Sequence, residues 1–168
     1  MKRNLWVLMK KDILLCPAWL ILGVALTIAM PIYIISSIEL PSLLHEPILI
    51  LCAIFAGNIA VSRICYIEDN QAVKTLLASL PVRKKELILS RYIVAVAIVI
   101  ILIIVAALMG LLMGVAINAA VLWMGIVSGI LYETIYLMLY FKWGNNVAQY
   151  AFVVILIIGV LIMWIALI

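Results

Sequence analysis

Charge is what this sequence has least of: eleven Lys or Arg and seven Asp or Glu in 168 residues, against 70% hydrophobic side chains. That balance, with a strongly positive mean hydropathy, excludes a water-soluble domain and makes lipid the solvent for most side chains. Histidine is nearly missing too. With His45 alone, and with Cys16, Cys52 and Cys65 all within or beside apolar runs, there is no metal-ligand spacing, no disulfide framework and no Ser/His/Asp set. The cysteines read as small core hydrophobes. Neither Gly-x-x-x-x-Gly-Lys-Ser/Thr nor His-Glu-x-x-His occurs, so the chain has no phosphate-cradling loop and no zinc-protease helix. An enzyme has nothing to stand on here, and no cofactor, metal or nucleic acid is expected to bind the chain itself.

What is present is a series of uncharged runs, over 13–38, 47–62, 92–132 and 143–168. A helix needs roughly 20 apolar residues to cross a bilayer core of about 30 Å. The run 92–132 is too long for one crossing and fits two, broken at Gly114–Asn118. The expectation is therefore an all-α, polytopic helix bundle forming a single transmembrane domain over 1–168, with five spans at 13–36, 47–66, 92–113, 119–141 and 146–168. The first run follows Lys2 and Arg3, but it is too long for the apolar core of a signal peptide and no small-x-small cleavage site follows. It reads as a retained span. Residues 1–12 set Leu5, Trp6, Leu8 and Met9 between basic groups, which suits a helix lying along the membrane surface. The pairs Gly110/Gly114 and Gly125/Gly129 allow close helix approach, within the 92–141 hairpin or between subunits.

Under this topology every Lys and Arg falls on one side, and the segment 36–47, with two acids and His45, on the other. The positive-inside rule then makes the N-terminus and the loop 67–91 cytoplasmic. The stretch 63–91 holds six of the eleven basic residues and three of the seven acids, so it is the chain's main aqueous face. Within it Val73, Leu76, Leu77 and Leu80 recur at i, i+3, i+4 and i+7, Asp69 or Asn70 can cap a helix, and Pro81 ends it. So short an amphipathic helix needs a partner for its apolar face. Glu68 and Asp69 at its start favour a protein groove over an anionic lipid surface. Arg83, Lys84, Lys85 and Arg91 form a basic interfacial ramp into the third span, and ordinary positive-inside anchoring accounts for them as well as a specific role does.

Thr75–Tyr92, with its Ser-Leu-Pro-Val-Arg-Lys-Lys-Glu core, resembles the loop of the small-permease branch of bacterial ATP-binding-cassette type-2 permeases. Leu139-Tyr-Phe-Lys-Trp-Gly144 resembles a second stretch of the same branch, at the inner end of the fourth span. The resemblance implies that 70–80 is a coupling helix seated in a separate cytosolic ATPase subunit, that ATP and Mg bind on that partner, and that 1–12 is an interfacial connecting helix. It implies a bacterial cytoplasmic-membrane exporter working as a homo- or heterodimer of permease protomers. Members of the branch usually have six spans, where this sequence supports five. The apolar, charge-poor bundle suits an amphipathic or hydrophobic cargo, such as a peptide, lipid or drug, better than a sugar or an ion.

Glu133 is the one acid deep in a span, roughly 13 Å along a helix from Lys142. Intramembrane charge is expensive and faces a bundle interior or wet cavity. With Tyr132 and Tyr136 nearby and Asn58 midway along the second span, two readings stand: a cavity-lining group that meets cargo, or a structural acid and an interhelical hydrogen-bonding amide. Two other function classes remain open, a small proton-linked transporter built on Glu133 and a non-transporting scaffold or immunity protein.

Overall fold

A computed structural model of the chain describes residues 2–15, 17–37, 44–71, 73, 75, 84–115 and 117–166. Among them are six helices and no strand: α1 (Lys2–Leu15), α2 (Pro17–Ser37), α3 (His45–Glu68), α4 (Lys84–Leu112), α5 (Ala119–Trp143) and α6 (Asn145–Ala166). In lipid a backbone must satisfy its own polar groups, which is why the apolar runs become helices. By length and composition α2, α3, α4 and α5 can each cross a bilayer. The fifth expected span falls on α6, and 167 and 168 lie outside the described residues.

Helix ends follow local chemistry. α2 begins on Pro17, where a missing donor costs nothing, and carries Pro31 inside it, which leaves the Thr27 carbonyl without its helical N–H. α4 ends in a Schellman motif: Val115 N–H donates to Gly110 O at 2.9 Å and Gly114 N–H to Leu111 O at 3.2 Å, with Gly114 in the left-handed region at φ 72°. Asn118 then caps α5, its Oδ1 accepting from Ala120 N–H at 3.0 Å. Glu46 of α3 accepts the Asn118 N–H at 3.0 Å, which ties this turn to the first turn of α3. Asn118→Ala is expected to cost about 1 kcal/mol, the usual value of such a cap, measurable as a lowered unfolding midpoint in detergent.

α3 and α4 are the centre of the bundle. Ala53, Ala56, Ala60, Val61 and Ile64 of α3 meet Ala95, Val99, Leu102, Ile103 and Ala106 of α4, all essentially buried. α2 packs against both, α5 lies across α3 and α4, and α6 packs on α5. The small residues of α5 are used inside this bundle: a Cβ on Gly125 would lie 2.5 Å from Ile50 Cγ2, and one on Gly129 would lie 2.8 Å from Val99 Cγ1. The outward faces, with Ile21 and Tyr33 on α2 and Trp123, Leu131 and Met138 on α5, are exposed and apolar, as lipid contact requires.

Candidate functional site

The loop between α3 and α4 leaves the bundle from Glu68 and returns at Lys84. Its start is ordered by Asp69 N–H donating to Cys65 O at 3.0 Å and Asn70 N–H to Ile67 O at 3.3 Å. Gln71, Val73 and Thr75 are helical, and Thr75 Oγ1 donates to Gln71 O at 2.9 Å. Val73 is half-buried. Leu76, Leu77, Leu80 and Arg83, the remainder of the expected docking face and the first residue of the basic ramp, lie outside the described residues. Lys84 and Lys85 are exposed on the first turn of α4, so this part of the ramp is helix continuous with the span.

Beneath the loop the structure assembles something the sequence pattern did not predict. Arg91, only 2% exposed, sits between Asp12 of α1, 0% exposed, and Glu68 of α3, 5% exposed. Its guanidinium pairs with Asp12 Oδ1 at 3.3 Å and with Glu68 Oε2, and Nη1 lies 3.6 Å from Cys65 Sγ. Lys11 Nζ, at the rim, also pairs with Glu68 and lies 3.2 Å from Asp12 Oδ1. Two cations and two carboxylates thus meet in a cluster with no net charge. Burial pushes the Asp12 carboxyl above the ordinary carboxylate range, against the lowering pull of Arg91 and Lys11; its Oδ2 has no hydrogen-bond partner. Glu68 and Arg91 therefore face the interior, and among the described residues of the basic ramp Lys84 and Lys85 remain open to an outside partner.

Helical register carried a signal for this cluster. The buried stripe of α4 runs through Ala95, Ile98, Leu102 and Ala106, and one turn earlier on the same face is Arg91. Glu68 continues the stripe of Val61, Ile64 and Cys65 on α3 in the same way, and Asp12 follows the buried Leu8. Register shows that each side chain points inward; it does not show that the three meet. Nearby, Arg63 stacks over Trp19 of α2 at 4.4 Å, and Tyr140 Oη donates to Cys65 O at 3.3 Å.

The second group of expected residues lies deeper. Asn58 of α3 and Glu133 of α5 are both buried, Glu133 to 1% exposure. Tyr136 donates its hydroxyl to Asn145 Oδ1 at 3.0 Å, joining α5 to the start of α6. Tyr132 stacks edge-on against Phe152 of α6, and Tyr132 and Tyr136 line a shallow cleft with Leu139, Ala148 and Phe152.

A polytopic helical bundle, its described basic residues gathered at the end that carries the long loop, defines a multi-pass membrane protein. Comparison with protein families makes this specific: the profile of the ABC-2 family transporter proteins matches residues 7–168, and the chain belongs to that family, as a membrane permease component. No curated protein and no solved structure matches it. The family is one of permeases, typically non-catalytic.

Proposed function

We propose that this chain is the membrane subunit of an ATP-driven exporter, docking through the helix at 70–80 into a separate cytosolic ATPase subunit and pairing with a second permease protomer. The loop side is cytoplasmic in this reading, and the cargo is an amphipathic or hydrophobic molecule moved outward between protomers. The observation that carries it is the anchoring of the loop: it leaves from Glu68 and returns into the helix that carries Arg91, and Arg91 pairs with both Glu68 and Asp12. A push on the docking helix then moves α1, α3 and α4 together, because the buried ion cluster resists being pulled apart. The Lys84 and Lys85 side chains supply positive charge beside the docking face, and Asp69 supplies negative charge at its start.

The test is co-purification with the ATPase subunit. Wild type should retain it, and Leu76→Asp/Leu77→Asp, made at equal membrane expression, should lose at least ten-fold of it, since two charges on the apolar face remove the groove contact. Wild type that holds no ATPase would sink this reading.

A further inference from the structure

Glu133 is a buried acid that the docking loop does not use. Both of its carboxyl oxygens lack a hydrogen-bond partner, as does Asn58 Nδ2, and the Asn58 amide faces the carboxyl without closing a bond to it. The surrounding walls are apolar. A Cβ on Gly57 would lie 4.0 Å from Glu133 Oε1, 3.5 Å from Val99 Cγ2 and 3.6 Å from Leu102 Cδ1, so the carboxyl rests close to the α3 backbone with α4 methyl groups beside it. Among the described residues no cation reaches it. Lys142, on the same helix, stacks over Trp143, and Arg91 of α4 stands eight residues, or about 12 Å of helix, from Val99 and is engaged by Asp12 and Glu68. The titratable groups around it are Tyr132 and Tyr136 on α5 and Cys65 on α3, none of them cationic, while α4 presents Val99 and Leu102.

An ionised carboxylate left unpaired in such a place is several kcal/mol uphill, and among the described residues no group of three or more His, Cys, Asp or Glu gathers that could hold a metal ion. We propose that Glu133 and Asn58 form an intramembrane proton site. The carboxyl is held as a neutral acid while α3, α4 and α5 pack together, and gives its proton to water only when α3 and α5 part. Asn58 Nδ2 then becomes the donor that steadies the carboxylate. The step is a plain proton transfer: the O–H bond of the acid breaks, and the electron pair stays on the carboxylate. This site makes the packing of the bundle sensitive to pH, and it holds whether or not the docking reading is correct.

The test uses the whole protein in lipid bilayers, without an ATPase. Infrared difference spectra of wild type minus Glu133→Gln at neutral pH should contain the carbonyl stretch of a protonated carboxylic acid, shifted in heavy water. That band should persist well above the pH at which an exposed glutamate ionises, about 4.3. Glu133→Asp, which moves the band without removing the acid, provides the same subtraction if Glu133→Gln fails to assemble. As the pH rises through loss of the band, the alkylation rate of Cys65 in wild type divided by that in Glu133→Gln should climb several-fold, against the slowing that a new negative charge nearby gives thiolate formation. A difference spectrum with only carboxylate bands at neutral pH would overturn the proton site. A flat ratio would overturn its coupling to helix parting.

Discussion

Arg91→Ala is expected to lower the stability of the bundle by about 3–5 kcal/mol, the loss typical when one partner of a buried ion pair is removed. The reason is arithmetic at the site. Among the described residues the guanidinium is the one fully buried cation between two buried carboxylates, Asp12 and Glu68, and without it only the rim ammonium of Lys11 opposes two negative charges there. Unfolding in mixed micelles, followed by tryptophan emission, should show the shift. Arg91→Lys should recover little, because one ammonium on a flexible stem cannot reach Asp12, Glu68 and the Cys65 sulfur at once as the planar fork does. Replacing all three buried charges, as Asp12→Leu/Glu68→Leu/Arg91→Leu, should restore most of the stability, since an apolar substitute for a buried ion cluster is often neutral. Under the exporter reading that stable triple variant still loses transport, because the loop is no longer clamped to α1, α3 and α4. An Arg91→Ala protein within about 0.5 kcal/mol of wild type, the range of ordinary surface changes, would mean that the cluster contributes nothing.

Gly129→Leu is the second large effect. Even a bare Cβ at 129 would come 2.8 Å from Val99 Cγ1 and 3.4 Å from Ile54 Cγ1, and Val99 is β-branched, with a stiff χ1 that leaves its methyl nowhere to turn. Overpacking of this kind costs about 1–3 kcal/mol in a well-packed core. Here it also forces α5 away from α3 and α4 along the face that carries Glu133, one turn further on. The double variant Gly129→Leu/Val99→Ala should regain part of the loss. A change confined to contacts between protomers would instead leave the stability of the single chain untouched. Gly114 offers the contrast: nothing lies within 4 Å of its Cβ position, so Gly114→Ala should cost only the left-handed backbone penalty, about 1–2 kcal/mol.

Much of the molecule follows from the sequence by itself. Apolar run length places α2 to α5, because a lipid-embedded backbone has no alternative to the helix over a stretch that long. The Gly114–Asn118 break, which the sequence marks by a glycine and a capping amide, is where α4 ends and α5 begins. The paired glycines announce close approach, and only the fold shows whose side chains they admit: Ile50 and Val99 of the same chain. The roles of individual charges were decided by tertiary structure. Arg91 and Lys85 lie in one basic segment and belong to opposite environments, since six residues along a helix turn one inward and leave the other outside. Asp12 and Arg91 meet across 79 residues and Lys11 and Glu68 across 57, contacts that no local spacing encodes. They depend on α1 folding back against the start of α4, and on α3 bringing its last turn alongside, so that three helix ends close around one guanidinium.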